Sequence, residues 1–292
     1  MCFARKLAIL FFMANIPQQI PFGTPGLRSV VPVVTRYGDR WDVFGTAVIV
    51  APGLALTALH VVEECLRVHH GHRLERGKIH NLDVASSMEA IQISGEQSYA
   101  VWRVTKVASR IDYSDLAWLQ MTWQGPTRGD LDEIRLTLLP PKRGSEVQAF
   151  AYRGGRVLFD GKRVNVAIEA VTVRGRVIEV HPEKRDPAFL NFASFQTDAR
   201  FDPAMSGGAV FDESGSLCGV VCSGFNVEPG AEEISYAALL WPCVATRLDA
   251  SPFDGRRVYD LAAAGTINVK GLDRFVFLGA DEIGFNAEGI DF

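Results

Sequence analysis

The sequence lacks several things that would have set its class at once. No apolar run reaches the ~20 residues that a helix needs to cross a bilayer, so no membrane-spanning helix is expected. There is no basic block: 34 acidic residues stand against 30 lysines and arginines, for a formal charge of −4. Neutralising phosphates supplies much of the affinity for nucleic acid, so that partner is not expected. Long stretches of 3.6-residue periodicity are scarce, which argues against a helical bundle. No repeat at a solenoid period and no low-complexity segment is present. Cysteines are few and odd in number: Cys2, Cys65, Cys218, Cys222 and Cys243. Cys218 and Cys222 lie in one apolar run, and four residues along a strand span roughly 13 Å, beyond the reach of a disulfide. They read as small core residues.

What the chain does have is apolar content of 48% with only 22% charged, enough to form a core. Its 27 glycines and 14 prolines punctuate short apolar runs, the pattern of many short strands in an all-β sandwich or barrel. In the first half, strands are expected at 30–34, 44–50, 54–57, 100–107 and 116–121, with a short helix at 60–68 and a polar surface insertion at 69–95. In the second half they are expected at 146–151, 164–168, 171–180, 193–197, 208–211 and 217–221. Two halves of similar size imply two small barrels side by side. Residues 251–292 form a tail.

The N-terminus, Met1-Cys-Phe-Ala-Arg-Lys-Leu-Ala-Ile-Leu-Phe-Phe-Met13, resembles a short signal peptide with a weak cleavage side. A second reading makes Met13 the true start. A working signal would place the protein in the periplasm or outside the cell. The weak site favours the cytoplasm.

Three separated segments carry chemistry together. Gly45 to His60 is an apolar strand, a turn and a second strand that delivers a histidine. Tyr113-Ser-Asp115 places an acid directly before the apolar run Leu116-Ala-Trp-Leu119. Phe201-Asp-Pro-Ala-Met-Ser206-Gly-Gly places a serine in a glycine-rich turn. Acyl transfer needs these groups: serine is a weak nucleophile until a base takes its proton, histidine can do so near neutral pH, and a buried carboxylate fixes its tautomer. Glycines let the backbone turn tightly, so that amide N–H groups can meet a developing oxyanion.

In these segments the sequence resembles trypsin-like serine proteases of the chymotrypsin fold. Leu56-Thr-Ala-Leu-His60 is similar to the family's histidine motif, Asp115-Leu-Ala-Trp-Leu119 to its aspartate motif, and Met205-Ser-Gly-Gly-Ala-Val210 to its nucleophile motif. The run from Gln196 to Val221 resembles the HtrA-type bacterial branch most closely, without a PDZ-sized segment after it. The resemblance implies two six-stranded antiparallel β-barrels, with a short C-terminal helix and tail. It implies a leader or arm over 1–27, a peptidase domain over 28–250 (barrels at about 28–135 and 136–250) and a C-terminal extension over 251–292. By the same resemblance His60 is the general base, Asp115 orients it and Ser206 is the nucleophile. The N–H groups of Ala204 and Ser206 would form the oxyanion hole. Arg200 holds the position where family members often place the floor of the specificity pocket: turned inward it would favour acidic side chains, turned outward it is a surface charge. Val221, Ser223 and Gly224 would line the pocket wall. The expected activity is a serine endopeptidase acting on polypeptides without a metal or organic cofactor.

The sequence departs from the family pattern in three places. Ala204 replaces the usual glycine, Met205 replaces an aspartate, and Cys222 stands where the family has a serine supporting the catalytic aspartate. Ala204 and Cys222 keep open an alternative, a protease-like binding module with weak or no turnover.

Other features carry competing readings. Asp112 could be the orienting acid, although only Asp115 abuts the strand. The His69-His-Gly-His72 cluster could bind a metal, but no acidic or cysteine partner sits at zinc spacing, so a solvated loop is the plainer reading. The Ala-Met-Ser-Gly-Gly context is not Gly-x-Ser-x-Gly, and strands do not alternate with helices, which argues against an α/β-hydrolase. Residues 271–292 carry Phe275, Phe277, Phe285 and Phe292 among acids. Such an aromatic tail is expected to dock, through 275–278, on the protein's own surface or on a partner.

Overall fold

Alternation between two buried environments organises the second half of the chain. Cys218 and Val221 pack in one apolar cluster, and Leu217, Val220 and Cys222 pack in another. Ala237 and Leu239 divide from Tyr236, Ala238 and Leu240 in the same way. A strand whose two faces are both covered needs apolar residues at every position, so it reads as a continuous run instead of an alternating one.

The computed structural model describes residues 15–24, 26–38, 40–70, 82–84, 87–95, 98–110, 114–125, 130–160, 163–188, 190–225, 234–278, 283–286 and 288–290. After a short strand β1 (Gln18–Ile20), the first barrel is built from β2 (Val30–Tyr37), β3 (Arg40–Ala51) and β4 (Leu54–Ala58), followed by helix α1 (Leu59–His70). The short β5 (Leu82–Asp83) precedes β6 (Glu89–Gly95), β7 (Ser98–Ser109) and β8 (Leu116–Trp123). The order β2-β6-β7-β8-β4-β3 closes because β3 pairs with both β4 and β2.

A linker containing β9 (Arg135–Thr137) leads to the second barrel. Its strands are β10 (Glu146–Asp160), β11 (Arg163–His181), β12 (Ser194–Thr197), β13 (Ala209–Asp212), β14 (Leu217–Phe225) and β15 (Ile234–Leu239). They close in the order β10-β11-β12-β15-β14-β13. The result is two closed six-stranded antiparallel barrels of the chymotrypsin-like kind. No described helix is long and apolar enough to cross a membrane.

The barrels are tied together. The β10–β11 hairpin overruns its own barrel, and Arg156–Leu158 pair with Asp42–Arg40 of β3. The register shifts between Gly154 and Arg156. Gly154 has φ +108°, and a Cβ there would lie 2.5 Å from the Ala167 carbonyl oxygen, so glycine is what permits the bend. In the linker, Asp132 accepts the backbone N–H groups of Gly26 and Arg28 at Oδ2 and two N–H groups of the Arg28 guanidinium at Oδ1.

After the barrels come β16 (Arg247–Leu248), β17 (Arg256–Arg257), helix α2 (Val258–Ala263) and β18 (Asn268–Lys270), which runs parallel to β9. A last hairpin joins β19 (Phe275–Phe277) to β20 (Ile283–Phe285). Phe275 is buried, and the Phe285 ring stacks on Trp241 with centroids 5.3 Å apart.

Three sequence expectations are corrected. The polar insertion at 69–95 overreaches, because β6 within it is a strand of the first barrel. The runs at 164–168 and 171–180 are one strand, β11. The strand β15, buried on both faces, was not expected at all. Cys65, Cys218, Cys222 and Cys243 are buried and in no disulfide among the described residues, while Cys2 lies outside them.

Candidate active site

The pairing of β4 with β8 sets the first half of the site. Ala58 lies opposite Leu116, so the residues just beyond, Leu59 and Asp115, meet where β4 passes into α1. The Leu59 N–H donates to the Asp115 carbonyl at 3.0 Å. The His60 N–H donates to Asp115 Oδ1 at 3.1 Å, and His60 Nδ1 lies 2.6 Å from Oδ2. Asp115 is only 7% exposed, whereas the His60 side chain is 35% exposed. A carboxylate can only accept, so Nδ1 carries the proton and Nε2 is the basic nitrogen. Asp112 lies outside the described residues.

The second half is the loop between β12 and β13. A 3₁₀ turn, Pro203–Met205, leads into Ser206, and Met205 is fully buried. The Ser206 carbonyl accepts the Thr46 N–H at 2.8 Å, which seats the loop against β3. Gly45 sits between the halves: a Cβ there would lie 2.6 Å from Val61, next to His60, and 2.7 Å from the Ser206 carbonyl oxygen. Gly207 has φ +80°, and a Cβ would fall 1.9 Å from the Thr46 carbonyl oxygen, so only glycine fits. The structure thus brings the histidine, aspartate and serine segments to one place.

The peptide that carries the Ala204 N–H is turned differently from what an oxyanion donor there would need. Ser206 Oγ donates to the Pro203 carbonyl at 3.1 Å. The Pro203–Ala204 peptide is trans, so its N–H points opposite to its C=O. In this conformation the carbonyl faces the serine, and the Ala204 N–H is turned away.

The expected pocket residues divide. Arg200 takes the outward alternative: its side chain is 47% exposed and its Nε donates to Asp202 Oδ1 at 3.2 Å. Val221 packs inside the second barrel, so its side chain is not a pocket wall. Ser223 and Gly224 stay on β14, opposite Tyr236 and Ser235. Val221 is still bonded on its second side to the backbone of Gly207 and Gly208; beyond it, β14 has β15 on one side and, among the described residues, no strand on the other. Cys222 Sγ donates to the Tyr236 carbonyl at 3.2 Å. The His69–His72 cluster lies largely outside the described residues.

Sequence reasoning missed the charges under the nucleophile loop. Arg153 donates to Glu169 at 2.8 Å and to Asp202 at 3.0 Å, so Asp202 is held between Arg153 and Arg200. The available signal was Asp202-Pro203, a dipeptide that favours turns.

Two closed barrels with these segments facing one another define the double-barrel peptidase class. A family model for the trypsin-like peptidase domain matches residues 45–220, more than half of the chain. The chain belongs to that family. No curated protein matches the sequence. Similar solved structures include the MamO protease domain from Magnetospirillum magneticum in its apo form, with 18% identity and a TM-score of 0.47, over 73% of this chain and 92% of that one. Another is the HtrA-type protease AlgW with a tripeptide, with 21% identity and a TM-score of 0.44, over 73% of this chain and 56% of that one.

Proposed function

We propose that the protein is a serine endopeptidase in which His60, Asp115 and Ser206 form the catalytic triad. The observation that carries this reading is the double engagement of Asp115 by His60, 2.6 Å at Nδ1 and 3.1 Å at the backbone N–H. It leaves Nε2 as the basic nitrogen, in a histidine whose neighbour Val61 packs around Gly45 with Ser206.

The steps follow from those groups. Ser206 Oγ attacks the scissile carbonyl carbon while its proton passes to His60 Nε2. The tetrahedral intermediate collapses, the C–N bond breaks, and the departing amine takes the proton from His60. Water then attacks the acyl-enzyme ester, its proton goes to His60, and Ser206 leaves with that proton as the free acid is released. Asp115 stays ionised throughout and stabilises the imidazolium. Beyond Val221, the edge of β14 that holds Ser223 and Gly224 pairs with no strand on its second side among the described residues, which suits a substrate bound as an added antiparallel strand.

A second reading, a protease-like binding module without useful turnover, draws support from the Ser206–Pro203 hydrogen bond, because a serine so engaged is not hydrogen-bonded to its base through that proton. Hydrolysis of an unstructured protein substrate separates the two. Turnover that is abolished by both Ser206→Ala and His60→Ala supports the peptidase. Binding of the same substrate with no Ser206-dependent cleavage supports the module.

A further inference from the structure

Thr46 stands in the middle of β3 and is fully buried, where a hydroxyl is costly unless it is hydrogen-bonded. Its polar groups reach three different elements. The N–H donates to the Ser206 carbonyl at 2.8 Å. The carbonyl accepts the Thr57 hydroxyl at 2.6 Å, from the strand β4 that leads into His60. The hydroxyl oxygen accepts the Tyr152 N–H at 2.9 Å, from β10 of the second barrel. One residue thus joins the nucleophile, the strand that delivers the base, and the opposite barrel.

The side-chain bond falls where β10 lacks a ladder partner. β10 pairs with β13 up to Phe150 and with β3 from Arg156, and between them, among the described residues, it has no strand on that side. A buried N–H needs an acceptor, and the Thr46 hydroxyl supplies it in place of a strand carbonyl. The same stretch of β10 backs the nucleophile loop: a Cβ on Gly208 would lie 2.8 Å from the Ala151 Cβ and 2.9 Å from the Phe150 carbonyl oxygen. We propose that Thr46 is a positioning residue, whose hydroxyl locks β10 to β3 and so fixes where Ser206 stands relative to His60. The inference rests on the peptidase reading above and adds to it a residue outside the triad.

Distance is what the lock controls. His60 follows β4 of the first barrel and Ser206 precedes β13 of the second, so a slip between barrels is a slip between base and nucleophile. Proton transfer needs the two within hydrogen-bond reach, and a displacement of ~1 Å at a reacting group can cost about 10²-fold in rate. Valine has the branched shape of threonine without the acceptor. In its place the Tyr152 N–H would be buried and unpaired, and β10 could relieve that only by moving. Because β10 touches Gly208, two residues after the nucleophile, the loop would move with it.

The test compares the full chain with Thr46→Val, Thr46→Ala, Thr46→Ser and Ser206→Ala, by peptide turnover and by the rate of labelling with a fluorophosphonate, both per folded molecule. Thr46→Val and Thr46→Ala should lose roughly ten- to hundredfold in kcat and in labelling rate, with KM within about twofold of native. The midpoint of the pH profile should not move, because the His60–Asp115 pair is untouched. Thr46→Ser keeps an acceptor in the same place and should stay within about threefold of the native chain on both measures. Labelling that depends on Ser206 but runs at the native rate in a folded Thr46→Val or Thr46→Ala, whatever stability is lost, overturns the proposal: the hydroxyl then serves the fold alone, and the peptidase reading stands. A tenfold loss in Thr46→Ser also overturns it, whether or not the other two variants fold. Labelling and turnover indifferent to Ser206→Ala overturn the peptidase reading, and the positioning role with it.

Discussion

Asp115 holds His60 at two points, its Oδ2 2.6 Å from the ring nitrogen Nδ1 and its Oδ1 3.1 Å from the backbone N–H. One carboxylate therefore fixes both the tautomer of the imidazole and the place where helix α1 begins.

Asp115→Asn separates these two tasks. The amide oxygen can still accept the backbone N–H, so the fold should survive with a melting temperature close to native. The amide cannot stabilise an imidazolium, and it favours the wrong tautomer when its NH₂ faces Nδ1. Turnover should fall roughly 10⁴-fold, with KM little changed. A loss under tenfold would remove Asp115 from the mechanism.

Activity should rise with pH through the range in which histidines titrate, about 6.5 for an unperturbed side chain, because only neutral imidazole can take the serine proton. A kcat/KM profile that is flat from pH 5 to 8 would exclude a histidine base.

Stability should show a second pH dependence, from His181 at the end of β11. Burial, with Arg185 nearby, pushes its pKa below the ordinary histidine value, against the opposing pull of Glu179 and Asp186. The unfolded chain therefore takes up a proton before the folded one does. The contribution is complete above the unfolded value and is lost as pH falls through that value toward the folded one. Urea midpoints of the native chain should drop between pH 7.5 and pH 5, and His181→Gln should show a smaller drop.

How far the sequence could be read depended on whether a residue's setting is local. The apolar strand before His60, the acid abutting Leu116 and the glycines after Ser206 are local patterns, and all three segments meet in the fold. Strand β6 was hidden because Gln92 reads as surface, yet it is buried, its amide donating to the Arg28 and Asp130 carbonyls at 3.1 and 2.8 Å. Strand β15 was hidden because both its faces are covered, which erases the alternation that marks a strand. The direction of the Pro203–Ala204 peptide could not be read at all. Turn type depends on one dihedral pair, and the Asp-Pro-Ala-Met residues admit a turn without showing which group faces Ser206.

Gly207→Ala should be among the most damaging single changes near the site. It puts a Cβ within 1.9 Å of the Thr46 carbonyl oxygen at φ +80°. The expected cost is ~3 kcal/mol or more, at the upper end for point substitutions. Thermal unfolding should shift down by roughly 6 °C or more, taking ~2 °C per kcal/mol for a chain of this size. A melting temperature within a degree of native would show that the loop relaxes freely away from β3.

Phe275→Ala should destabilise the protein without altering the chemistry. Phe275 is buried against Phe285, with ring centroids 5.4 Å apart, and Phe285 stacks on Trp241. Loss of that burial should cost about 1.5–3 kcal/mol, seen as a lower urea midpoint, with kcat of the folded enzyme unchanged. Higher kcat in the variant would instead make the hairpin a cover over the cleft.

The central claim is that Ser206 is a nucleophile activated by His60. Its most direct measurement is the mass of the intact protein after exposure to a fluorophosphonate, with the adduct located by peptide mapping. The account predicts one adduct per chain, on Ser206, absent from Ser206→Ala and much slower to form in His60→Ala. An adduct that persists in Ser206→Ala, or a native chain that carries none on Ser206, would contradict it.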